Sequence, residues 1–184
     1  MAGEVNQMAP AAARPARPAL VTVLGVIFIV FGALVLLTFP FLVLQFAGAL
    51  PGMEQTWLPL DDPFYYGLSA LSLVTVPLVG LAEIFGGAGL LKLRSGARNL
   101  LIAVLIFGIV MALTTIPVTV NAFNSPIADR AFGNTRQMQV AKDMGLVTTI
   151  VGSVFSVVVN GVFLMLITSP TVKRAFAAAA PARC

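Results

Sequence analysis

Four long apolar runs, residues 19–44, 65–91, 100–120 and 146–168, constrain this chain more than any other feature. Each reaches or exceeds the ~20 residues that cross a hydrocarbon core about 30 Å thick. Backbone groups at that depth find no water, so the runs are expected to be helices. The composition fits the same class, with 59% hydrophobic residues, 10% charged residues and a mean hydropathy of +0.99. A soluble domain of this length carries far more charge, so the surplus apolar surface is expected to face lipid.

Charge placement orients the spans. Of eleven Lys and Arg residues, eight flank one set of ends: Arg14 and Arg17, then Lys92, Arg94 and Arg98, then Lys173, Arg174 and Arg183. Only Arg130, Arg136 and Lys142 fall on the other side. This bias places both termini and the turn between spans two and three in the cytoplasm. The expectation is therefore an all-α membrane protein, a four-transmembrane-helix bundle, N-in and C-in, with short loops. Residues 1–18 would be a disordered tail, 19–169 the membrane domain and 170–184 a loose cytoplasmic tail. The net charge of +4 does not imply nucleic acid, because no basic patch is interleaved with aromatic residues.

Histidine is absent and cysteine occurs once, at Cys184. Thiol oxidoreductases need paired cysteines, and haem or copper carriers need defined axial ligands, so no cofactor or metal is expected. Cys184 lacks a prenylation context and reads as an inert tail residue, with palmitoylation as the alternative. Ala47-Gly48-Ala49 resembles a signal cleavage site, but the preceding run exceeds a signal h-region and is retained as a span. In the outer loops, Pro51-Gly52 signals a turn and Asp62-Pro63 a helix start. Capping explains the Asp61-Asp62 pair better than a cation site does. Trp57, Phe64, Tyr65 and Tyr66 would form an interfacial belt. Residues 134–137, with Asn134 first and Gln137 last, suggest that span four begins outside the membrane.

Residues 81–99, LAEIFGGAGLLKLRSGARN, hold Glu83, the lone ionisable side chain within the apolar runs. Counting nine residues back from Lys92 places it about 13 Å inside the boundary. Gly80, Glu83 and Gly87 share one helical face, a carboxyl between two sites of close backbone approach. Gly25 and Gly32 recur on one face of span one, and Gly108 and Ala112 form a small pair in span three. Span four carries Gly145, Thr149, Gly152, Ser156 and Asn160 at steps of four, three, four and four, a small and polar stripe expected to face protein. Equal depth of Glu83 and Asn160 predicts a polar centre of Glu83, Asn160 and Ser156 near Gly32 and Gly108, with hydrogen bonds crossing from helix to helix.

The segment Gly89-Leu-Leu-Lys-Leu-Arg-Ser-Gly-Ala-Arg98 resembles the turn of small uncharacterised bacterial four-helix inner-membrane proteins, in which G-L-L-x-x-R-x-x-A-R joins helices two and three. The resemblance implies a bacterial inner-membrane setting and no activity. The chain lacks the paired extracellular cysteines of claudin-like and tetraspanin-like proteins.

An acid in the bilayer implies a function or a named partner. Glu83 can lock span two to span four through Asn160, exchange a proton or bind a cation, or present a face to another membrane protein. Catalysis is not expected, because no nucleophile has a base and no acid pair shares a depth. Asp129 and Asp143 read as solvated charges. The sequence thus favours an accessory or scaffolding subunit packing against itself or a larger membrane complex, with a small proton- or cation-coupled carrier using Glu83 as the alternative.

Overall fold

The computed structural model describes residues 18–47, 63–126 and 136–179. They form four long helices, α1 (Ala19–Phe46), α2 (Pro63–Leu91), α3 (Ser95–Phe123) and α4 (Arg136–Thr168), and a short α5 (Pro170–Ala179), with no strand among the described residues. Four segments, Ala19–Leu44, Ala70–Leu91, Ser95–Phe123 and Lys142–Thr168, are long and apolar enough to cross a membrane. Their outward faces are apolar, as in Phe41, Phe85, Phe155 and Met165, the last 75% exposed. Such a surface suits hydrocarbon and not water. The chain is an all-α, multi-pass membrane bundle. The N-terminal tail, the Pro51-Gly52 turn, Trp57, the Asp61-Asp62 pair, Asp129, Arg130, Asn134 and Cys184 lie outside the described residues.

Glycine sets the helix pairing. A Cβ placed on Gly32 would lie 2.5 Å from the Gly80 carbonyl oxygen, and one on Gly87 would lie 2.6 Å from that of Gly25. Gly25 thus faces Gly87, and Gly32, seven residues on, faces Gly80, seven residues back. This is one antiparallel register in which backbone meets backbone. Without a hydrophobic drive between helices in lipid, such close approach maximises dispersion contact. Two further glycines of α2 point elsewhere: a Cβ on Gly86 would strike Leu101, and one on Gly89 would strike the Cβ of Ala97. One glycine set therefore seats α1 and the other seats α3.

The α2–α3 connection is tighter than a basic loop. The Arg94 N–H donates to the Gly89 carbonyl at 3.0 Å, and the Leu93 N–H to that of Leu90 at 2.9 Å. With Leu93 at φ 52°, this is a Schellman ending whose left-handed position is occupied by leucine and not glycine. Arg94 then serves as the N-cap residue of α3, so Arg98 lies within that helix and not in the turn.

The main core gathers at the end bearing this turn. Val21, Leu24 and Phe28 of α1 meet Leu90 of α2, Leu101 and Leu105 of α3, Ile167 of α4, and Val172 and Phe176 of α5. A smaller contact at the opposite end joins Phe123 to Leu146. Segment 170–179 was expected to be loose and is instead a helix: Val172 and Phe176 are buried while Lys173 and Arg174 stay exposed. The spacing of four between the two apolar residues puts both on one face, and the core end supplies something to bury them against.

Candidate intramembrane polar site

Glu83 stands in the α1–α2 seam. Its Cβ would lie 3.0 Å from a Cβ built on Gly32, so the glycine at position 32 provides the space the acid occupies. Its Oε2 atom is buried and has no hydrogen-bond partner among the described residues. Gly80 and Gly87, a turn to either side on the same face, both meet α1.

Asn160 and Ser156 belong to a different seam. The Asn160 Nδ2 donates to the Ser156 carbonyl at 2.8 Å and to the Ser156 hydroxyl at 3.1 Å, within α4. Across the gap its amide lies against Gly108 of α3, 3.3 Å from where a Cβ there would stand. At the far end of α4, Gly145 rests on the Phe123 ring of α3. The expected centre of Glu83, Asn160 and Ser156 is therefore divided, with the acid between α1 and α2 and the amide between α3 and α4. The extensive packing runs α1 to α2, α2 to α3 and α3 to α4, leaving α2 and α4 diagonal. Equal depth does not bring diagonal helices into hydrogen-bond reach, which is why the predicted bridge is not formed.

The expected bonds from helix to helix are also replaced by local ones. Thr149 donates to the Gly145 carbonyl at 2.9 Å, and Thr114, Thr115 and Thr168 bond back to carbonyls in their own helices in the same way. A hydroxyl in hydrocarbon finds its nearest acceptor one turn back. One bond that does cross helices is that of Arg98, whose Nε donates to the Ile167 carbonyl in the last turn of α4 at 3.2 Å. It satisfies a carbonyl that the helix end leaves open. Lys92 and Arg94 lie exposed at the turn, as do Lys173 and Arg174 on α5.

Within the α4 stripe the structure selects a neighbour the spacing did not. Ser153 is 8% exposed and faces inward, whereas Gly152 is exposed and a Cβ there would meet nothing within 4 Å. At 100° per residue the two positions sit about 50° on either side of the stripe's centre, so the sequence is indifferent between them. Buried Thr119 of α3 was missed, although half-buried Thr115, four residues before it on the same face, was a signal that could have found it. Ala112 is buried. The α4–α1 edge closes through rings, with Phe163 against Phe28 at 5.3 Å and against Phe31 at 6.1 Å between centroids.

Comparison with protein-family profiles, with curated proteins and with solved structures finds no match to this chain.

Proposed function

We propose that this chain is a bacterial inner-membrane protein, with both termini and the α2–α3 turn in the cytoplasm, that serves as a non-catalytic accessory or scaffolding subunit. It would act through helix packing, with itself or with a larger membrane complex. The carrying observation is Gly152: a small residue at mid-helix, open on the outer side of α4, between Gly145 and Asn160, which meet α3. Small residues at such positions let a further helix approach to backbone distance. The basic bias and the resemblance of the α2–α3 turn support the membrane and the orientation.

Cross-linking from single-cysteine proteins tests this. In native membranes, a Cys184→Ser, Gly152→Cys protein is expected to yield a discrete conjugate, a dimer or one heavier species of defined mass. A Cys184→Ser, Val158→Cys control, on the lipid-exposed side of α4, is expected to yield none. Equal, diffuse cross-linking from both positions contradicts the proposal.

The unpartnered Glu83 oxygen favours a second reading, a small proton- or cation-coupled carrier. In liposomes, a proton-coupled flux abolished by Glu83→Gln would establish it. Identical ion leakage with and without the protein would dismiss it.

A further inference from the structure

A groove of about 770 Å³ opens where α2, α3 and α5 meet, at the end of the bundle that carries the tight turn. Two chemistries line it. Lys92 and Arg94 stand on either side of the left-handed Leu93, and the Schellman turn brings both to the same recess. Phe85 and Leu100 supply the wall towards the bilayer interior, and Phe176 of α5 closes the side opposite. Phe85 lies seven residues from Lys92, about 10 Å along the helix. It is 67% exposed, so the apolar wall is open to lipid and not capped by protein.

Among the described residues neither cation has an ion-pair partner: Arg98 is engaged at Ile167, whereas Lys92 and Arg94 make no such bond. Because Gly89 lacks a Cβ, Ala97 comes close against it, and the ends of α2 and α3 lie together at the recess. Gly96, on the rim, has open space where its side chain would be.

We propose that this groove binds one anionic phospholipid, its phosphate between Lys92 and Arg94 and an acyl chain along Phe85 and Leu100. The argument is one of matched chemistry: two free cations at headgroup level, and a continuous apolar wall leading from them into the hydrocarbon. A soluble anion would use the cations and leave the wall unused. A neutral lipid would use the wall and leave the cations unused. Juxtamembrane cations contribute roughly 1 kcal/mol each towards an anionic lipid, so two of them correspond to roughly a 30-fold preference.

The test is native mass spectrometry of the full chain in a non-ionic detergent, titrated separately with phosphatidylglycerol, phosphatidylcholine and inorganic phosphate. One phosphatidylglycerol is expected to bind, roughly 30-fold tighter than phosphatidylcholine. A Lys92→Gln, Arg94→Gln protein loses that preference, and a Lys173→Gln, Arg174→Gln protein keeps it. Gly96→Phe fills the rim without a backbone clash and is expected to exclude the lipid while leaving thermal stability unchanged. Equal losses from the two charge-removing pairs would show diffuse surface attraction and overturn the proposal. So would saturable phosphate binding that competes with the lipid and survives Phe85→Ala, or unaltered lipid binding to a folded Gly96→Phe protein.

Discussion

At the residue scale, Glu83 is distinguished by what it lacks. A buried polar atom without a partner is destabilising by about 1 to 3 kcal/mol, whereas an apolar group of the same shape avoids that penalty. Glu83→Met is therefore expected to leave the bundle at least as stable as the native protein in a denaturant titration in detergent. A fall of more than about 1.5 kcal/mol would mean that the carboxyl holds the fold together after all, as the lock with Asn160 would require. Stability that rises while function falls is the signature of a group kept for use. Asn160 makes its bonds within its own helix, so Asn160→Ala is expected to lower stability by less than about 1 kcal/mol, leaving space beside Gly108. Arg98→Ala is expected to have a larger effect, roughly 1 to 2 kcal/mol in the same titration, because the Ile167 carbonyl then loses a charged donor.

At the element scale, α2 is the helix on which the others are seated. Its two glycine sets, Gly80 with Gly87 and Gly86 with Gly89, address α1 and α3 separately. The first set was legible from spacing, because glycines seven apart on two consecutive helices can meet in one antiparallel register. Which helix would occupy which face was not legible. The stripe on α4 also pointed to protein, and only the packing distinguishes the adjacent α3 from the diagonal α2. The choice between Gly152 and Ser153 turned on a rotation of about 100°, which alternate three- and four-residue steps do not resolve. The helix at 170–179 was missed because its two buried residues form too short a pattern beside an alanine-rich tail. Phe176→Ala is expected to destabilise the basic end by about 3 kcal/mol, a large-to-small change within a packed cluster. Protease sensitivity between α4 and α5 would report it, and an unchanged digestion pattern would show that α5 is not held by its core face.

At the scale of the whole molecule, the larger buried cluster among the described residues lies at the end carrying the α2–α3 turn. The large buried cluster joins all five helices there, whereas the opposite end contributes Phe123 against Leu146. In the proposed orientation this end is cytoplasmic. Cys184 supplies a direct check, since an impermeant thiol reagent is expected to label it in inverted vesicles and not in intact spheroplasts. The reverse pattern would invert the topology and remove the cytoplasmic leaflet from the lipid proposal. What organises the molecule under all of these readings is the backbone contact between α1 and α2, with Glu83 held inside it and the open Gly152 and Gly161 of α4 left outside. The most direct measurement is the unfolding free energy in detergent of Gly32→Leu beside Gly152→Leu. The account predicts a loss of about 3 kcal/mol or more at position 32, where the Gly80 carbonyl leaves no room, and a change within about 0.5 kcal/mol at position 152. Equal losses at both positions, or a greater loss at 152, would contradict it.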